Sequence, residues 1–181
     1  HVNDGGDGGD VIVEGGQAKG LNINDNAGDF EARGGVAYAG YGGNIKLTSG
    51  AGTSTSSGSI VMKTSNAGVA GISGAITIKS GTSSMGDSGR ISILSGKALS
   101  GAAGSIRLSV GEGDSGEGGY LSLNAGKTTD ALGASGGYIS IRIGYSSVTS
   151  SGPFMLKTPN SGVIGVSGEI SMSTGTSANG N

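Results

Sequence analysis

The chain has 181 residues, of which 41 are Gly and none is Cys or Trp, with 34% hydrophobic and 4% aromatic residues; side chains this small cannot fill a thick, three-layer core. The formal net charge of −2 gives no electrostatic footprint for nucleic acid, and no basic stripe with interleaved aromatics occurs. No apolar run approaches the ~20 residues of a membrane span.

Gly at this level without a three-residue period usually marks disorder. Here, however, the apolar residues recur in short, evenly spaced packets, which flexible linkers lack. The chain opens on His1 rather than Met, which a removed signal peptide would explain. No Asn-x-Ser/Thr sequon is present, while abundant Ser and Thr leave O-glycosylation open.

The first element is DGGDGGDVIV, Asp4 to Val13. Its segment GGDGGDVIV fits the calcium nonapeptide G-G-x-G-x-D-x-U-x, which makes Asp4, Asp7 and Asp10 the metal candidates of the chain. A calcium site of that type needs ligands from stacked neighbouring turns, and the next segment, GGQAKGLNI, lacks the Asp. The nonapeptide would also bury Ile12, whereas the register of the later packets turns Val11 and Val13 inward. No cofactor is expected on these grounds, and the three Asp residues read as solvated or as an intersubunit contact.

Eleven packets of the form G-x-h-x-h-x-x-G follow the leading glycines Gly9, Gly28, Gly43, Gly58, Gly74, Gly89, Gly104, Gly119, Gly137, Gly152 and Gly168. They are spaced 15 or 16 residues apart, except for steps of 19 (Gly9 to Gly28) and 18 (Gly119 to Gly137). Alternation of apolar and polar residues within a packet is the signature of an extended strand with one face covered. The expected core ladder is Val11/Val13, Ile45/Leu47, Ile60/Met62, Ile76/Ile78, Ile91/Ile93, Ile106/Leu108, Leu121/Leu123, Ile139/Ile141, Phe154/Leu156 and Ile170/Met172.

A second glycine stands at the seventh position after the first in nine of the eleven packets, with Ser65 and Pro159 as the exceptions. It is expected to turn a corner through positive φ. The residues that complete each period, seven or eight in most, such as TSSMGDS and YSSVTSS, suit a second short strand across a thin interior. Together these features predict an all-β fold: a parallel β-solenoid of about eleven coils of 15–19 residues, forming one domain over residues 1–181.

A longer repeat overlies the short one. Residues 43–87 align without a gap on 137–181, with 20 of 45 positions identical, including KTSNAGVAGISG (Lys63–Gly74) against KTPNSGVIGVSG (Lys157–Gly168). The offset of 94 residues is six coils and implies duplication of a block. Neither end of the chain carries a cap, so both end coils would present open strand edges, and head-to-tail contacts that do not close build filaments.

Catalysis finds little to work with. His1 is the only His and sits at the terminus, where loose residues are seldom positioned. Glu112, Asp114 and Glu117 fall in the Gly-rich stretch GEGDSGEGG, an exposed bend rather than a carboxylate pair. The chain is therefore not expected to be an enzyme. In the column just after the leading Gly, Tyr120, Tyr138 and Pro153 form a candidate surface contact, either a cross-strand pair or a platform for sugar rings.

The G-x-I-x-I-x-S-G packets resemble the Gly/Ser-rich parallel β-solenoid repeats of secreted and cell-surface proteins, over essentially the whole chain. That resemblance implies an extracellular or cell-surface structural role and transfers no catalytic residue. The expected function is that of a structural protein building filaments or matrix as a homo-oligomer through its end coils, with glycans as further partners. The alternative is an ice- or carbohydrate-binding solenoid acting through one flat face, although the outward column Lys46, Val61, Thr77, Ser92, Arg107 is not the regular array such a face needs.

Overall fold

The computed structural model describes residues 8–176. The chain divides into two units, His1–Ser92 and Ile93–Asn181, with the boundary inside the packet GRISILSG. The two copies of the long repeat, which begin at Gly43 and Gly137, fall in different units.

No strand and no helix forms among the described residues. This overturns the expected all-β parallel solenoid, for a reason local to the residues between packets. A coil requires those residues to run out as a second strand and return the chain one rung along. Instead they fold back on themselves, and the end of one packet meets the start of the next.

Backbone hydrogen bonds show the closure directly. Gly28 N–H donates to the Gly16 carbonyl at 2.8 Å, Gly43 to Gly35 at 2.8 Å and Gly58 to Gly50 at 2.9 Å in the first unit. Gly137 donates to Gly126 at 2.9 Å and Gly152 to Gly144 at 3.0 Å in the second. In every case the leading glycine of one packet is joined to the closing glycine of the packet before it. These five periods are thus each a packet of eight residues followed by a loop pinched at its base, the design of a small Ω-loop.

Other junctions bring a side chain to the same place. A Cβ on Gly74 would lie 3.3 Å from Thr64 Cγ2, one on Gly89 3.4 Å from Ser80 Cβ and one on Gly119 2.8 Å from Val110 Cγ1. The partner is each time the sixth residue after the preceding leading glycine.

Loops are tied internally by short polar side chains, as Ser, Thr, Asn and Asp do when they offer the backbone a local acceptor. Ser146 Oγ accepts from the Val148 N–H at 3.2 Å and the Thr149 N–H at 2.9 Å. Ser83 Oγ accepts from the Gly86 N–H at 3.0 Å.

The two longer steps carry their additional residues in this way. In one, Asn22 and Asp25 brace each other's backbone, and the Asn24 N–H donates to Asn22 Oδ1 at 3.0 Å. In the other, the Asp130 N–H donates to Thr128 Oγ1 at 3.2 Å and the Leu132 N–H to Asp130 Oδ1 at 3.0 Å, with Gly133 at φ 97° just beyond. The duplication is visible at this level too: Gly71 N–H donates to the Gly68 carbonyl at 3.3 Å, and 94 residues on Gly165 donates to Gly162 at 3.5 Å.

The expected role of the closing glycines is also corrected. Positive φ occurs at Gly116 and Gly133 among the described residues, and neither closes a packet. At Gly50, Gly81, Gly96 and Gly144 a Cβ would meet nothing within 4 Å. An open site accepts other residues, which is why Ser65 and Pro159 can stand there.

None of the described residues is buried, and this corrects the core ladder along its whole length. In the first unit Val11 and Val13, Ile45 and Leu47, Ile60 and Met62, Ile76 and Ile78, and Ile91 are exposed rather than internal. In the second, Ile93, Ile106 and Leu108, Leu121 and Leu123, Ile139 and Ile141, Phe154 and Leu156, and Ile170 and Met172 are exposed as well. Even Ile170, the best covered of them, is 48% exposed, and its packet neighbour Met172 is 86% exposed. The physical reason is the same for every pair. The ladder needs a facing strand and a stacked coil to cover it, and the closed loops supply neither.

The chain exposes 18,891 Å², where a compact protein of its mass exposes about 7,800 Å² and a fully unfolded one about 25,000 Å². Each period is locally ordered without enclosing a core.

Candidate functional site

The surface that chemistry can act on is the row of packets and the loops between them. Within several packets exposure alternates with period two, as in an extended chain, although the first packet, with Val11 at 90%, Ile12 at 77% and Val13 at 65%, does not. Ile91 is 50% exposed against 83% for Leu94, and Phe154 is 61% exposed against 79% for Met155. Ladder partners such as Ile45 and Leu47, Ile78 and Ile76, or Leu123 and Leu121 therefore share one side of their packet. That side is the less exposed one, yet Ile45 on it is still 57% exposed.

A second set of apolar residues lies in the loops. Ile23, Tyr38, Val69, Met85, Leu99, Leu132, Val148 and Val163 are all close to fully exposed. The sequence assigns the loops to a second strand that would turn such residues inward; the closed loops instead carry them outward. Thus most periods present half-covered apolar side chains on the packet and at least one bare apolar residue in the loop, with two or three in loops such as that of Val163, Ile164 and Val166.

Tyr120 and Tyr138 are exposed, as is Pro153. The cross-strand Tyr pair depended on neighbouring coils and is withdrawn with them. Asp10 is exposed, while Asp4, Asp7 and His1 lie outside the described residues. Among the described residues no group of three His, Cys, Asp or Glu side chains is placed to hold a metal ion, and there is no cavity. Glu112, Asp114 and Glu117 are exposed, and Ser115 Oγ donates to Asp114 at 3.2 Å. The Glu31–Arg33 ion pair is also on the surface, where such a pair adds little. No helix among the described residues is long and apolar enough to cross a membrane.

The sixth position after the leading glycine escaped the sequence reading although its signal was present. It holds Gly15, Gly34, Ser49, Thr64, Ser80, Ser95, Val110, Ala125, Ile143, Thr158 and Thr174, small or β-branched residues throughout. Gly15, Gly34, Ser49, Thr64, Ser80 and Thr158 are among the few partly covered residues of the chain, because each sits near the next leading glycine.

What this arrangement offers is repeated apolar contact and unpaired backbone, without a pocket, a charge cluster or a nucleophile in a positioned setting among the described residues. No protein-family model matches the chain, and neither a curated protein nor a solved structure matches it.

Proposed function

We propose that the protein is a structural, material-forming repeat protein of the extracellular space or cell surface, which acts by associating through its packets. The observation that carries this is the exposure of the apolar side chains: none of those described is buried, and they recur with the 15–16-residue period along the chain. Exposed apolar patches larger than a few hundred Å² mark interaction surfaces. Repeated packets, without a cavity among the described residues, are suited to binding something that repeats as they do. Net charge near zero adds little self-repulsion. The extracellular placement is supported by the Gly/Ser-rich repeat pattern, which resembles that of secreted and surface proteins.

The mode of assembly differs from the stacking of solenoid ends. End coils with open strand edges do not form among the described residues, so association runs along the packets rather than at the two tips. Ice or carbohydrate binding by a flat face was expected from parallel coils, which do not form among the described residues.

Negative-stain electron microscopy of the purified chain at low and high concentration, with and without calcium, tests the proposal. Fibres or sheets at high concentration in both calcium conditions are expected. Isolated particles at every concentration would overturn it, and growth that appears with calcium alone would return attention to Asp4, Asp7 and Asp10.

A further inference from the structure

We infer that the partner of the packets is further copies of this same chain, and that the packets gain ordered pairing by joining between copies, packet to packet. The inference rests on the structural role proposed above and names the partner in it.

Three observations carry it. First, the area: the chain exposes 18,891 Å², about 11,000 Å² more than a compact protein of its mass. A stable complex of two folded proteins buries only about 800 Å² per partner, so docking onto one globular partner would leave nearly all of this surface bare. A partner that covers it must run the length of the packets.

Second, the period. Ten of the eleven leading glycines, Gly28 to Gly119 and Gly137 to Gly168, fall into two runs with steps of 15 or 16 residues. A partner that meets each packet must repeat with the same step, and another copy does so by construction. The apolar residues at the second and fourth positions then meet their own kind, Ile91 and Ile93 beside packets such as Ile76/Ile78 or Ile106/Leu108.

Third, the backbone. The backbone hydrogen bonds among the described residues close loops and turns, and none pairs the extended middle of one packet with that of another. Folded proteins satisfy roughly one hydrogen bond per residue, and an extended segment with free N–H and C=O groups is a template for strand addition. The hydrogen bonds join packets at their glycines and leave the packet middles without backbone partners among the described residues, available to other copies.

Sedimentation and isotope-edited infrared spectroscopy on the full chain, over a concentration series, test this. The dilute chain is expected to sediment as a monomer without a strand band. Above a threshold, a homo-oligomer should appear together with that band, and in an equal mixture of ¹³C-labelled and unlabelled chains the labelled band should shift from its position in the pure labelled sample. Ile91→Asp with Ile93→Asp should raise the threshold at least tenfold, whereas Ser92→Asp, on the alternate position, should leave it within about twofold. A strand band in the monomer, a mixture with no shift, or a chain that stays monomeric and unpaired at all concentrations would each overturn the inference, the last by pointing to a different partner. An oligomer of small, fixed size that never grows into fibres would keep the inference and remove the structural-material function. Fibres without a shift in the mixed sample would do the reverse.

Discussion

At the scale of single residues, glycine has two distinct duties in this chain. At several packets the leading glycine is required by close approach: a Cβ on Gly43 would lie 2.7 Å from the Gly35 nitrogen and one on Gly28 3.1 Å from the Gly16 nitrogen. The closing glycine has free space, as at Gly50. Gly43→Ala should therefore open the pinch between Gly35 and Gly43, removing a solvent-exposed hydrogen bond of about 0.5–1 kcal/mol, while Gly50→Ala should leave its junction intact. Amide chemical shifts and hydrogen exchange of the leading-glycine N–H groups report the difference, with several-fold faster exchange expected at position 43 in the first variant alone. Equal effects of the two substitutions would refute the assignment of duties. The asymmetry was half legible in the sequence, since Ser65 and Pro159 already show that the closing position tolerates other residues. The partner of the leading glycine was legible only as a column of small residues, because nothing in one packet says which residue of its neighbour it meets.

At the scale of the element, each period joins an extended packet to a closed loop. The packet was readable, because alternation of apolar and polar residues survives as alternating exposure at Ile60, Val61 and Met62. The loop was not, because a stretch such as YSSVTSS satisfies the length of a short strand and of a closed loop alike. Composition favoured the loop: Ser, Gly and Asp offer the backbone local hydrogen bonds that compete with strand pairing, and strands prefer β-branched and aromatic residues. Ser146 shows the mechanism, accepting from both Val148 and Thr149. Ser146→Ala should free these two N–H groups and weaken the turn by about 0.5–1 kcal/mol, with the pinch between Gly144 and Gly152 retained. Faster exchange at Val148 and Thr149, with Gly152 unchanged, is the expected outcome; loss of all three together would show that the turn and the pinch are one cooperative unit.

At the scale of the molecule, order and burial are separated. Local hydrogen bonds shape the periods in both units, yet none of the described residues is buried and the exposed area lies closer to that of an unfolded chain than to that of a compact one. The repeat and its duplication were plain in the sequence. The absence of a core was not, because an apolar face such as Leu108 with Ile106, or Ile141 with Ile139, reads the same whether its cover comes from the next period or from another chain. Heat capacity distinguishes these cases, since unfolding absorbs heat cooperatively and raises the heat capacity in proportion to the apolar surface it uncovers. A dilute sample should give a scanning-calorimetry trace without a transition, because little surface remains to be uncovered. A concentrated sample should give a peak whose midpoint rises with protein concentration, as mass action requires when the ordered state contains several chains. A sharp peak at high dilution, independent of concentration, would mean that one chain buries its own apolar face and that the packets need no partner.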